Sequence, residues 1–161
     1  MIISADDTKQ SLNDLISWFK HNAPTYYTLK LEGIKGALDH EISEVFNALG
    51  LSDDSLRILY TTVNGGFQLQ DTFETLPLSD ILDEGKKLKS QQIVPFARDQ
   101  EQNLLCLNVK SGNVIIWDAE GNELMEDIKI VSFGAYLEQI RDKVLSKKLI
   151  YEDGLGLVTI S

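Results

Sequence analysis

Two neighbouring runs, Leu104-Leu105-Cys106-Leu107 and Val114-Ile115-Ile116-Trp117, are apolar at every position, with Lys110-Ser111-Gly112-Asn113 between them. Side chains of a strand alternate between two faces, so a run that is apolar at both parities must be covered on both sides. The pattern predicts a central hairpin, Leu104–Val109 with Val114–Trp117, and the rest of the chain has to supply the layers that bury it.

Those layers are visible as helical periodicity on either side. Leu56, Leu59, Tyr60 and Val63 fall at i, i+3, i+4 and i+7 within Ser52–Val63, with Ser52 placed as an N-cap and Asn64-Gly65-Gly66 as a stop that tolerates positive φ. Asp53 and Asp54 put negative charge at the positive end of that helix. Ile42, Val45, Phe46 and Leu49 repeat the stripe between Asp39, the expected cap, and Gly50, as do Leu12, Leu15, Ile16 and Phe19 in a helix that starts after Ser4-Ala5-Asp6-Asp7 and stops before Pro24. Between these, Tyr27, Leu29 and Leu31 alternate with Tyr26, Thr28 and Lys30, which predicts an extended segment. Weaker strands are expected near Phe67–Leu69, Phe73–Leu76 and Ile93–Phe96. A short helix is expected from Ser79 to Leu88. A longer one begins at Ser132 and carries Phe133, Tyr136, Leu137, Ile140 and Val144 on one face. Asp153-Gly154 predicts a last hairpin within Leu149–Ile160.

Composition narrows the function classes. The 161 residues hold 15 Lys and Arg against 25 Asp and Glu, a formal charge of −10. Such a balance repels phosphate backbones and anionic headgroups, which argues against nucleic acid and membrane as direct partners. It speeds encounter with a basic protein. Cys106 is the only cysteine, so no intramolecular disulfide can form. The opening MIISADDTKQSLNDL has neither a basic n-region nor a continuous apolar stretch, and no apolar run approaches a membrane span of about 20 residues. The expectation is a cytoplasmic protein.

Motifs for chemistry are weak. Asp99-x-Glu101-x-Asn103 resembles the start of a calcium loop, yet its sixth position is Leu104 and its twelfth Lys110, where Gly and a bidentate Glu are needed. Asp118-x-Glu120-x-Asn122 fails in the same way, at Glu123 and Lys129, and reads as a turn around Gly121. His21 and His40 form no zinc pattern, and Cys106 sits in an apolar run without a base beside it. Asn64-Gly65-Gly66 lacks the Lys-Ser/Thr of a phosphate loop, and Gly154-Leu155-Gly156 lacks the third glycine of a dinucleotide motif. No catalytic residue, metal site or cofactor is predicted. Trp117-Asp118, at a strand end, is a place where a surface site could form.

Three segments together resemble the SUKH superfamily, which includes yeast cell-wall assembly regulators and bacterial toxin-immunity proteins. The first runs from Leu56 through Tyr60 to Asn64-Gly65-Gly66, and the second is Leu76-Pro77-Leu78-Ser79-Asp80-Ile81-Leu82. The third joins Val94-Pro95-Phe96-Ala97-Arg98-Asp99, Asn103-Leu104-Leu105-Cys106-Leu107 and Val114-Ile115-Ile116-Trp117-Asp118. Ser132-Phe133 and Trp18 with His21-Asn22-Ala23-Pro24 are also similar to parts of members, whereas Leu51-Ser52 and Gln100–Gln102 depart from the common pattern.

The resemblance implies one SUKH-like α+β domain over residues 1–161, in which a mainly antiparallel or mixed central sheet packs with N-terminal helices and a late C-terminal helix. It also implies a non-enzymatic protein-binding role without cofactor. The leading expectation is an immunity protein that neutralises a cognate toxin by covering a basic surface; the other reading is a regulatory or scaffolding domain. Asp99, Glu101, Trp117, Asp118 and Glu120, at the strand ends, are the expected partner contacts.

Overall fold

The computed structural model describes residues 3–160, so the ends of the expected 1–161 domain, Met1, Ile2 and Ser161, lie outside the described residues. The architecture is α+β. Four helices come first: α1 (Ala5–Asn22), α2 (Pro24–Lys30), α3 (Asp39–Leu49) and α4 (Asp54–Thr62). Then follow β1 (Glu74–Thr75), α5 (Leu78–Lys87), a single 3₁₀ turn (Lys89–Gln91), β2 (Ile93–Arg98), β3 (Asn103–Asn108), β4 (Asn113–Asp118) and β5 (Glu123–Val131). The chain closes with α6 (Phe133–Leu145) and a two-stranded hairpin, β6 (Leu149–Glu152) with β7 (Gly156–Thr159).

Strands β1 to β5 form one antiparallel sheet in sequence order. The β3–β4 hairpin predicted from its apolar runs lies at the centre, and its two faces are buried by different groups. Leu105, Leu107 and Val114 join the main core with Val94 and Phe96, together with Leu15, Phe19, Phe46, Leu59, Phe133 and Leu137 from the helices. Cys106 pairs with Ile115 and Leu104 with Trp117 on the opposite face, where Leu88 and Ile93 complete a second cluster.

Helix ends follow cap chemistry, in places one or two residues from where the sequence suggests. Ser4 itself caps α1, its hydroxyl accepting from Asp7 N while the Asp7 carboxylate accepts from Ser4 N. Asp39 is the first residue of α3 rather than its cap; the Glu41 carboxylate takes the Leu38 N–H instead. At α4 the cap is Asp53 and not Ser52. Asp53 Oδ1 accepts from Leu56 N at 2.9 Å, and Oδ2 accepts from Phe133 N at 3.1 Å, so one carboxylate serves the first turns of both α4 and α6. Ser132 caps α6 as expected, accepting from Ala135 N. Alongside, Thr8 and Ser55 hydroxyls lie 2.7 Å apart, and a Cβ on Gly134 would come within 2.5 Å of Ser55 Oγ. Only a glycine lets α6 approach α1 and α4 this closely.

The segment expected to be extended, Tyr26–Leu31, is helical as far as Lys30, with Leu31 as the C-cap. Pro24 stands at the start of α2, where its fixed φ and missing N–H suit a first helical position, and six alternating residues do not distinguish a strand from two helical turns. Tyr26 turns inward with its hydroxyl donating to Gly66 O and accepting from Gln68 N, while Leu29 stays exposed. Phe67–Leu69 makes only an isolated bridge, Gln68 to Glu74, and the expected Phe73–Leu76 strand shrinks to β1. Strand β5, nine residues long and mostly exposed, has no counterpart in the sequence expectations.

Asp53→Ala is expected to lower the unfolding free energy by about 2–4 kcal/mol, because each N-cap contributes about 1–2 kcal/mol. Ser52→Ala should change it by less than about 0.5 kcal/mol, as surface substitutions away from caps do. Urea titration of both variants decides which residue is the cap.

Candidate functional site

In an antiparallel sheet, the β2–β3 and β4–β5 connections must emerge at the same end. The register puts them side by side, since Asn103 and Asp118, the residues that flank the two turns, face each other. The acids spaced about twenty residues apart in sequence, Asp99 with Glu101 and Asp118 with Glu120, thus share one end of the sheet.

The two kinds of acid have different tasks there. Asp99 Oδ1 accepts from Glu101 N at 2.9 Å and Asn103 N at 2.8 Å, and its Oδ2 accepts from the Asn103 side-chain amide. Asp118 Oδ1 accepts from Glu120 N and Gly121 N. Both aspartates hold the turns in shape by bonding the backbone two or more residues on, the habit that favours Asp in turns. Glu101 and Glu120 are exposed and carry their charge into solvent on those turns. Trp117 is elsewhere in depth. At 7% exposure it belongs to the second hydrophobic cluster, opposite Leu104, and its indole N–H has no partner among the described residues.

Beside the Asp99 turn lies a groove of about 450 Å³, with Lys30, Glu74, Arg98, Asp99 and Tyr151 on its walls. Sequence reasoning did not single out Lys30, Arg98 or Tyr151 for this place, because α2, the end of β2 and the last hairpin meet only in the folded chain. The walls are firmly tied. Gln68, buried at the floor, donates its side-chain amide to the carbonyls of Leu69, Asp71 and Phe73. Asn64 Oδ1 accepts from Leu78 N, which fastens the Asn-Gly-Gly stop of α4 to the start of α5. Gly65 (φ 93) has Pro77 backbone 2.7 Å from where a Cβ would be, so space and conformation both demand glycine there. Gln100 links the Asp99 turn to Thr72 and to Gly154 O of the last hairpin. Arg98 is held by Glu84 of α5 at 3.3 Å.

The walls of the groove carry both signs, Lys30 and Arg98 against Glu74 and Asp99. The Asp71 carboxyl is pushed above the usual aspartate range, first by burial and then by the charge of Asp99, with Lys143 acting in the opposite direction. The Tyr151 hydroxyl is pushed up by burial and by Asp153 and Glu74. Cys106 is fully buried, and burial alone pushes its thiol up, so it does not supply a thiolate near neutral pH. The grouping offers charge and shape for recognition: two preformed turns with outward carboxylates, and a rigid groove beside them.

Compared with models of known protein families and with curated proteins, the chain matches none.

Asp99→Ala removes the acceptor of three hydrogen bonds and is expected to cost about 1–3 kcal/mol, with faster amide exchange at Glu101 and Asn103. Glu101→Ala should leave stability within about 0.5 kcal/mol. Asp71 gives a pH signature. The folded state binds this proton more tightly than the unfolded chain, so ionisation opposes folding as pH rises above about 3.9, the ordinary aspartate value. Asp71→Asn, which also tolerates the positive φ of 56 at this position, is expected to raise the melting temperature at pH 7. The gain should shrink towards pH 4.

Proposed function

We propose that this chain is a SUKH-like immunity protein, a non-enzymatic cytoplasmic binder that neutralises a cognate toxin by covering a basic surface of it. The observation that carries the reading is the convergence of Glu101 and Glu120, each on a turn built by its own aspartate, at one end of the sheet. Preformed turns present their charges without a large ordering cost on binding, and opposite charge steers the encounter. The −10 balance of the whole chain acts in the same direction. The resemblance of Leu56 to Gly66, Leu76 to Leu82 and Val94 to Asp118 to SUKH segments supplies the toxin as the kind of partner. Asp99 and Asp118 act in this reading by shaping the two turns, and Trp117 by supporting β4 from below.

The test begins with the DNA flanking the gene. The adjacent product is expressed with and without this protein. Killing by that product and rescue on co-expression is the expected result. Charge reversal at Glu101 and Glu120 together should weaken the complex at least tenfold, mostly through slower association, and the wild-type affinity should fall as salt rises. A neighbouring product that is harmless, or one whose toxicity this protein leaves untouched, overturns the reading.

A further inference from the structure

We propose that the cleft between α6 and β5 binds a small organic ammonium ion, a primary amine on a short arylalkyl body. The proposal goes beyond the immunity reading and uses none of its residues. The cleft encloses about 330 Å³. That is the small end of the range of ligand pockets, about 300–1,000 Å³, with room for one ring and a short chain. It shares no lining residue with the groove beside Asp99.

Two bulges in β5 build one wall of the cleft. In the first, Met125 is an extra residue between Leu124, opposite Trp117, and Glu126, opposite Ile116. In the second, Ile115 pairs with Asp127 and Val114 with Ile130, which leaves Ile128 and Lys129 extra, the latter at φ 61. Bulges of this kind re-aim side chains. Ile128 and Ile130 both reach the cleft, as does Ile116 of β4. All three pack against the main core and yet remain only half-buried, because α6 covers that part of the sheet incompletely. Leu105, the cross-strand partner of Ile116, completes the apolar floor. Phe73 and Tyr136 add an aromatic ring each, and both are buried.

The polar rim fixes the charge of the ligand. Asp71 and Glu126 stand there, and neither is in an ion pair among the described residues. Lys143 is the one cation of the rim, and its ammonium already donates to Gln70 Oε1 at 3.3 Å. An anionic ligand would meet two carboxylates for one engaged ammonium. Asp71 is also held firmly: its N–H donates to Leu157 O, its C=O accepts from Leu157 N and from the Gln68 side-chain amide, and these bonds sustain its φ of 56. A residue kept in such a conformation by its surroundings is a feature of ligand clamps. Burial and the charge of Asp99 oppose ionisation of the Asp71 carboxyl, and Lys143 offsets them only in part. A ligand ammonium between Asp71 and Glu126 supplies the missing charge, and aromatic side chains beside it favour a cation over a neutral head. The half-buried isoleucines take the apolar body.

The ¹⁵N-labelled full chain is titrated with 2-phenylethylamine and followed by amide chemical shifts. Saturable shifts over residues 70–73, 126–130 and 136–143 are expected. 2-Phenylethanol, which keeps the ring and loses the charge, should bind at least about tenfold more weakly, and so should the amine to the double variant Asp71→Asn with Glu126→Gln, since hydrogen bonds to charged groups carry about that factor. Asparagine tolerates the positive φ, and both replacements keep the side-chain size. If the double variant alters the spectrum beyond the cleft, Glu126→Gln alone takes its place and should weaken binding in the same direction. Nα-acetyl-lysine methylamide offers the same ammonium as the side chain of a protein partner, and without a ring it should bind more weakly than the arylalkyl amine. Equal or tighter binding by 2-phenylethanol or by the lysine derivative, unchanged affinity in the variant, shifts centred on residues 98–101 and 151–156, or no saturable binding overturns the proposal.

Discussion

The Asp53 carboxylate is the joint on which the helical layer depends. Its two oxygens close the N-termini of α4 and α6, elements separated in sequence by the whole main sheet, and both helices bury their apolar faces in the core they share with that sheet. A helix start carries unsatisfied N–H groups and partial positive charge, so a single anion between two starts satisfies both and draws them together. Thr8, Ser55 and the bare Cα of Gly134 then set how closely α1, α4 and α6 meet. The covering layer on one side of β3 and β4 is thus fixed by a few polar contacts of short reach, and the large apolar residues fill what those contacts define.

The parts of the fold that were legible in sequence share one property: their local signal and their tertiary environment agree. The β3–β4 hairpin is apolar at both parities because both faces are in fact covered, and α3, α4 and α6 show clean stripes because each has one buried face. Where the two disagree, the signal misleads. Alternation over Tyr26–Leu31 arises from a helix too short to display its period, with Tyr26 buried and Tyr27 and Leu31 partly buried against the core. Strand β5 is opaque for the opposite reason. With its bulges and its exposed Leu124 and Met125, Glu123–Val131 follows neither a period of two nor of 3.6, and it becomes a strand because β4 offers it a ladder.

The candidate site divides along the same line. That acids cluster in the turns after β2 and β4 can be read directly, as can their convergence once the hairpin is placed. What each carboxylate does cannot, because Asp and Glu at equivalent spacing differ only in whether the side chain is short enough to fold back on its own backbone. The groove with Lys30, Arg98 and Tyr151 joins three distant segments and has no local trace at all. The indole of Trp117, apolar in body and at a strand end, fits a rim or a core equally well on sequence grounds, and the pairing with Leu104 decides for the core.

The separation of turn-forming aspartates from outward glutamates bears on how such a surface can change over generations. A position that both shapes a loop and touches a partner is trapped, since any new side chain must serve two demands at once. Here Asp99 and Asp118 carry the first demand and leave Glu101 and Glu120 free of it. Mutation at the glutamates can therefore explore new charges and sizes on an unchanged frame, and a lineage pressed to follow a shifting partner could do so through single substitutions that leave folding almost untouched.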